Sequence, residues 1–159
     1  MRILRSTLLD CPPEQAWEAL QQSRLLGYVA WPVLRFRPVA VAQLPATWQE
    51  GKYLVRLYLL GWVPLATQWI VISQDAARYT LRDNGHGPLA RVWDHRITLH
   101  PAGAGRTRYT DEVTIDAGRL TPLVTAFAAG FYWWRQRRWR QLVRQAKQQH
   151  NSVISRLYA

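Results

Sequence analysis

The sequence predicts an α+β domain in which a curved antiparallel sheet wraps around a long C-terminal helix, with two short helices after the first strand. Two observations carry most of this prediction. Arg91–His100 and Arg106–Asp116 alternate with period two, and the short Pro101–Gly105 connection makes them a hairpin. A single helix-like run follows to about Gln149. Near the other end, Asp10-Cys11-Pro12-Pro13-Glu14 closes a first strand and opens a helix, with proline at an early helical position and an acid in the first turn.

In order, Arg2–Leu9 reads as the first strand and Glu14–Gln22 as a short helix with Trp17 and Leu20 inward. Leu25–Tyr28 is a second short helix, ended before Pro32, and Val33–Ala42 is a strand. Lys52–Leu60 alternates, with Tyr53, Val55, Leu57 and Leu59 opposite Arg56; Gly61–Pro64 is a turn and Ala66–Gln74 a strand. Arg78–Arg82 is a shorter strand closed by the turn residues Asp83-Asn84-Gly85. The hairpin and the terminal helix complete one domain, 1–159, without repeat or linker.

Nearly half of the 159 residues are hydrophobic and nine are tryptophan, which argues against disorder. Cys11 is the single cysteine, so neither an intramolecular disulfide nor a thiol metal cluster is available. Met1–Asp10 is short and interrupted by Arg2 and Arg5, unlike a signal peptide, and no apolar run approaches the roughly 18 residues of a spanning helix. These features predict a cytoplasmic protein. The net charge of +11 is concentrated late: no acid follows Asp116, while Arg135, Arg137, Arg138, Arg140, Arg144 and Lys147 crowd one helix. No nucleic-acid motif accompanies them, so nucleic acid is not the expected partner. Because Phe131, Tyr132, Trp133, Trp134 and Trp139 share that helix, contact with an anionic membrane is the stronger reading of the charge.

The hairpin places Trp93, His95, Ile97 and Leu99 on one face of its first strand, and Tyr109, Asp111, Val113 and Ile115 on one face of its second. A histidine and an aspartate therefore share an apolar sheet face. A register symmetric about Gly103 sets His95 opposite Asp111. One centred on Ala104 pairs Arg96 with Glu112, which charge favours, and makes His95 and Asp111 diagonal neighbours. Either register brings their Cβ atoms within roughly 5–8 Å. On the helix, Leu120, Leu123, Val124, Phe127, Phe131, Trp134 and Leu142 form the expected buried stripe, with Arg135 and Arg138 inside it and Arg137, Arg140 and Arg144 facing away. A guanidinium over the sheet needs an acceptor, and Asp111 is the best candidate, giving a His95–Asp111–Arg135 cluster; the alternative is that Arg135 and Arg138 reach past the cavity mouth with only their stems buried.

Several stretches carry a family resemblance: Pro12-Pro13-Glu14-Gln15-Ala16-Trp17-Glu18-Ala19-Leu20, Trp48-Gln49-Glu50-Gly51-Lys52-Tyr53, Leu60-Gly61-Trp62-Val63-Pro64, Trp93-Asp94-His95, Thr107–Val113 and Phe131-Tyr132-Trp133-Trp134-Arg135. In element order and at these stretches the whole chain resembles the START-like or helix-grip (SRPBCC) superfamily, which includes polyketide cyclase/dehydrase-like proteins. The resemblance implies a cavity between sheet and C-terminal helix for lipids, polyketides or other apolar molecules, and no single chemistry. Relatives often carry a histidine beside the helix arginine; here the neighbours of Arg135 are Trp134 and Gln136.

The residues expected at the ligand are Trp69, Trp93, His95, Tyr109, Asp111, Phe131, Tyr132 and Arg135. His95 and Asp111 are the candidates for acid-base catalysis should the protein be an enzyme of the cyclase or dehydratase type. His86 and His100 fall in turn-like sequence and His150 in the tail, so no metal set is visible, and no nucleotide or hydrolase signature appears. No cofactor is expected. Three readings remain: a non-catalytic binder of an apolar or aromatic small molecule, such an enzyme, or a module that docks its basic aromatic helix on a membrane or partner. An exposed Trp133/Trp139 surface would serve the last, and could equally hold a dimer.

Overall fold

The first strand, β1 (Arg2–Leu9), runs into Pro12-Pro13, where α1 (Pro13–Leu20) begins with proline in its first turn. Its buried face carries Ala16, Trp17, Ala19 and Leu20. The second helix, α2 (Ser23–Ala30), ends because Pro32 forces the residue before it, Trp31, into extended geometry. Six further strands follow: β2 (Leu34–Pro38), β3 (Gly51–Leu59), β4 (Val63–Asp75), β5 (Thr80–Gly85), β6 (Val92–Pro101) and β7 (Thr107–Asp116). The long helix α3 (Thr121–Gln148) and a short α4 (Val153–Tyr158) complete a computed structural model that describes residues 1–149 and 153–158.

The seven strands form one antiparallel sheet in the order β1-β7-β6-β5-β4-β3-β2, so the chain's last strand closes beside its first. Residues alternate between a face packed under the helices and an outer face. α3 lies against β1, β7 and α2, and α4 folds back onto α1, α2 and α3. The main core is built from Leu9, Trp17, Leu20, Val55, Ile97, Leu99, Tyr109, Trp139 and Leu142, and a second cluster gathers Ile3, Val113, Ile115, Phe131 and Tyr132.

The β6–β7 hairpin turns through Gly103, Ala104 and Gly105, all at positive φ. Two glycines tolerate that backbone without cost, which centres the turn on Ala104. Arg96 consequently pairs with Glu112, His95 with Val113 and Ile97 with Asp111, so His95 and Asp111 are diagonal neighbours on the inner face.

Three sequence expectations are corrected. Val33–Ala42 is a strand only to Pro38; one further bond, from the Val39 N–H to the Leu54 carbonyl, ends the pairing of this edge strand. Asp83-Asn84-Gly85 is not a turn but the end of β5, held between β4 (Ile72 opposite Asp83) and β6 (His95 opposite Asp83). The turn that closes β5 lies later instead, where the Gly87 N–H donates to the Ala90 carbonyl at 2.8 Å. The strand also starts later, because Ala76–Arg78 is a 3-10 segment in which the Asp75 carboxylate accepts from the Arg78 N–H. Finally, the buried stripe of α3 is rotated from the expected one. Leu120, Leu123 and Phe127 are exposed and Trp134 is half-buried, while Ala128, Phe131, Tyr132, Arg135, Gln136, Trp139 and Leu142 are buried. The N-terminal turns overhang an open cavity rather than sitting on the sheet, so only the later turns grip it.

No helix among the described residues is long and apolar enough to cross a membrane.

Candidate functional site

Between the inner sheet face and the first half of α3 lies a cavity of about 300 Å³. Its wall is mostly aliphatic: Leu20, Leu25, Leu26, Leu34, Leu57, Leu59, Ile70, Ile72, Leu81 and Ile97, with Phe36, Trp48, Trp93, Phe131 and Tyr132. Leu65, Leu89, Leu123 and Phe127 line it and are also exposed, so they form the rim of its mouth. Four polar side chains interrupt the wall: Gln68 from β4, Asp83 from β5, His95 from β6 and Arg135 from α3.

Behind that polar floor stands Asp111, with no solvent exposure and three donors. His95 Nε2 and the Tyr109 hydroxyl approach Oδ1 at 2.7 and 2.6 Å, and Gln136 Nε2 donates to Oδ2 at 2.9 Å. Burial pushes the Asp111 carboxyl up. The hydrogen bond from His95, the charge of Arg135 and the Tyr109 hydroxyl outweigh it and hold the carboxyl below its ordinary value. The carboxylate is thus ionised and accepts only, so the proton between it and His95 sits on Nε2. Burial and the charge of Arg135 hold His95 below its ordinary pKa against the pull of Asp111, which keeps the imidazole neutral. Its Nδ1 is then a bare acceptor on a ring that lines the cavity, and no donor among the described residues is bonded to it.

Arg135 is 7% exposed and does not pair with Asp111 directly. Its Nη2 reaches the Tyr109 hydroxyl at 3.4 Å, and its Cζ lies 5.4 Å from the centre of the Tyr132 ring. Burial opposes its charge, but Tyr109, Asp111 and Tyr132 more than compensate, so it remains a cation. The expected His95–Asp111–Arg135 cluster therefore forms with Tyr109 as the link. The remaining Asp111 oxygen, Oδ2, is held by Gln136, whose Nε2 also donates to the Arg5 carbonyl of β1 at 2.9 Å. Gln136→Leu, which removes both bonds inside the α3–sheet seam, is expected to cost about 1–3 kcal/mol in urea unfolding.

Asp83 was missed by sequence reading. It faces the cavity directly beside His95 across the β5–β6 pair, so His95 stands between two aspartates. One Asp83 oxygen accepts from the Val71 N–H at 2.8 Å. Burial pushes its carboxyl from the ordinary 3.8 up to about 7, against the Val71 hydrogen bond and the charge of Arg135. Gly85 makes room here: a Cβ at that position would meet the Trp69 carbonyl at 2.6 Å and the Asp83 carboxylate at 3.1 Å. Reading Leu81 and Asp83 with period two would have placed the acid on the inner face.

Of the other expected ligand residues, Trp93, Phe131 and Tyr132 line the cavity, and Trp93 Nε1 donates to the Tyr132 hydroxyl at 3.1 Å. Tyr109 and Asp111 lie behind the wall rather than on it. Trp69 is corrected: it is 36% exposed on the outer face, stacked against His86. His86 bridges to Trp69 and His100 lies in β6, neither in a free turn; His150 falls outside the described residues. Trp139 is buried against Tyr109 and cannot share a surface with the exposed Trp133. Arg140, expected to face away, reaches the Thr7 hydroxyl of β1 at 3.2 Å, and Arg138 lies 4.2 Å above the Tyr28 ring. Burial raises the Cys11 thiol to about 12, an unreactive value. Among the described residues no group of His, Cys, Asp and Glu is arranged to hold a metal.

A family model described as a domain of unknown function (DUF8410) matches residues 7–143. No curated protein matches the chain in sequence. Among solved structures, a protein of Thermus thermophilus is similar over 92% of this chain and 99% of its own, at 15% identity and a TM-score of 0.70. The ZhuI aromatase/cyclase of a Streptomyces species is similar over 92% and 94%, at 13% identity and a TM-score of 0.66. A START superfamily protein of Mycobacterium smegmatis is similar over 91% and 97%, at 13% identity and a TM-score of 0.65. The chain therefore has the START-like helix-grip fold. Such identities establish the fold alone.

Proposed function

We propose that this chain, which belongs to the DUF8410 family of domains of unknown function and has the START-like helix-grip fold, is a single ligand-binding domain for a hydrophobic or aromatic small molecule. The observation that carries this reading is the cavity of about 300 Å³ itself, aliphatic over most of its wall and closed at one end by Asp83, His95 and Arg135. An apolar pocket with a few convergent polar groups is the form a small-molecule site takes, the apolar wall supplying affinity and the polar groups orientation. The exposed apolar rim of Leu65, Leu89, Leu123 and Phe127 offers such a molecule a continuous apolar way in. Native mass spectrometry of the protein purified from its own host tests the proposal. A discrete excess mass that disappears on denaturation is expected; a native mass equal to the denatured mass, together with failure of apolar probes to bind, would sink it.

One observation favours a second reading, acid-base catalysis on the bound molecule. His95 is neutral, carries its proton toward an ionised Asp111, and keeps an unprotonated Nδ1 on a cavity-lining ring, the arrangement of a general base oriented by a carboxylate. Arg135 would then stabilise negative charge developing on the substrate. In this reading His95→Gln abolishes turnover and leaves ligand affinity within about threefold. Parallel loss of both would assign His95 to binding alone.

A further inference from the structure

Arg135 is a buried cation whose donors are mostly unused. It makes one long hydrogen bond, to Tyr109, and among the described residues no carboxylate lies within ion-pair distance of it. Asp111 cannot turn toward it, because both of its oxygens are held by His95, Tyr109 and Gln136. Yet Arg135 lines the cavity, so a guanidinium with free donors faces the space a ligand would fill. A desolvated guanidinium of this kind is stabilised by an oxygen acceptor, most strongly by a planar anion that it can grip with two N–H groups.

The rest of the cavity narrows the class of ligand. Its wall is dominated by leucine and isoleucine from α1, α2, β2, β3, β4 and β5, which suits an aliphatic tail. The polar end holds one cation, Arg135, whose charge is offset only one layer back by Asp111 and whose free donors face the cavity beside Asp83. It can therefore grip an acceptor bearing one negative charge, while a doubly charged phosphate is repelled by the aspartates. We infer that the cavity takes an aliphatic carboxylic acid, with its carboxylate on Arg135 beside His95 and Asp83 and its tail among the leucines. This rests on the ligand-binding reading above and goes beyond it by naming the head group.

Asp83 then sets how the site responds to pH. The charged and titratable groups around it are Arg135 and Tyr132 from α3, His95 from β6, Asp111 and Tyr109 from β7, and Asp94 on the outer face of β6, paired with Arg82. Between pH 6 and 8 Arg135 stays a cation and Asp111 stays ionised, and burial holds His95 below its ordinary value, so Asp83 is the group whose ionisation would place a new negative charge beside the bound carboxylate.

Isothermal titration of the full chain with decanoate, decanol and methyl decanoate at pH 6 tests the inference. Decanoate is expected to bind at least about tenfold more tightly than either neutral analogue, to weaken several-fold from pH 6 to pH 8, and to keep its pH 6 affinity at pH 8 in Asp83→Asn, which retains the acceptor for the Val71 N–H. Arg135→Gln is expected to bring the acid-to-alcohol affinity ratio near one. Should that variant fail to fold, the three ligands on the unaltered protein still decide. Binding of decanol and the ester as tight as that of decanoate overturns the carboxylate anchor and leaves the apolar-cavity reading standing. Binding of none of the three overturns both.

Discussion

Asp83→Asn is expected to stabilise the protein at pH 8 by about 1–3 kcal/mol and to leave it nearly unchanged at pH 4. The Asp83 carboxyl goes from an ordinary 3.8 to about 7 on folding because burial disfavours its charge. A group raised in this way favours the folded state while it is protonated. Its contribution is fully present below its unfolded value near 4 and is lost as pH rises toward 7. At about 1.4 kcal/mol per tenfold change in proton affinity, the full loss is on the order of 4 kcal/mol. The asparagine amide has its own desolvation to meet, and Asp83 lines a cavity that opens at its apolar rim rather than lying in solid core, hence the smaller expectation. His95 works in the opposite sense: held below its ordinary value, it costs stability as pH falls below about 6.5, where the unfolded chain takes up the proton first. Relative to Asp83→Asn, the unaltered protein should thus lose stability from about pH 4 to about pH 7, and the gap should level off above that. Urea unfolding from about pH 4 to about pH 8 measures both proteins, and parallel curves would show that the Asp83 carboxyl has the same proton affinity in the folded and the unfolded chain.

That sequence reading passed over Asp83 has a physical reason. Asp-Asn-Gly is strong local turn chemistry, but β5 lies between two strands that complete its ladder on both sides, and those long-range pairings prevail over the local preference. The hairpin was legible because its information is local and redundant. Period two put His95 and Asp111 on one face, and Gly103 and Gly105 agreed with the Arg96–Glu112 charge pair on the register. Arg135 was visible as a charge inside an apolar stripe. Gln136 was not, since an uncharged amide one position along gives no signal until its two acceptors, on β1 and β7, are brought together in space. The phase of α3 was misread for a related reason: Leu123 and Phe127 are apolar because they rim a cavity, and hydrophobic periodicity does not separate a cavity rim from a packed core.

Asp111→Ala is expected to destabilise the protein by about 3–5 kcal/mol at pH 7, more than a cavity of that size alone would. The carboxylate closes a network in which every member depends on it. Without it, His95 Nε2, the Tyr109 hydroxyl and Gln136 lose their acceptor in a region without solvent, each at about 1–3 kcal/mol if no other partner is found. Arg135 loses a buried negative charge that offsets part of its own desolvation. Partial rescue is available: the Tyr109 hydroxyl can rotate, the imidazole can shift its proton to Nδ1, and Gln136 retains the Arg5 carbonyl. The sum of the separate losses is therefore an upper bound. The pH dependence separates this account from simple loss of packing. Held below its ordinary value, Asp111 contributes stability that is present above pH 4 and is lost as pH falls through its folded value. The gap between the unaltered protein and Asp111→Ala should accordingly be constant from pH 5 to pH 7 and shrink below pH 4. A gap that persists undiminished at pH 2 would mean that the side chain's volume matters more than its charge.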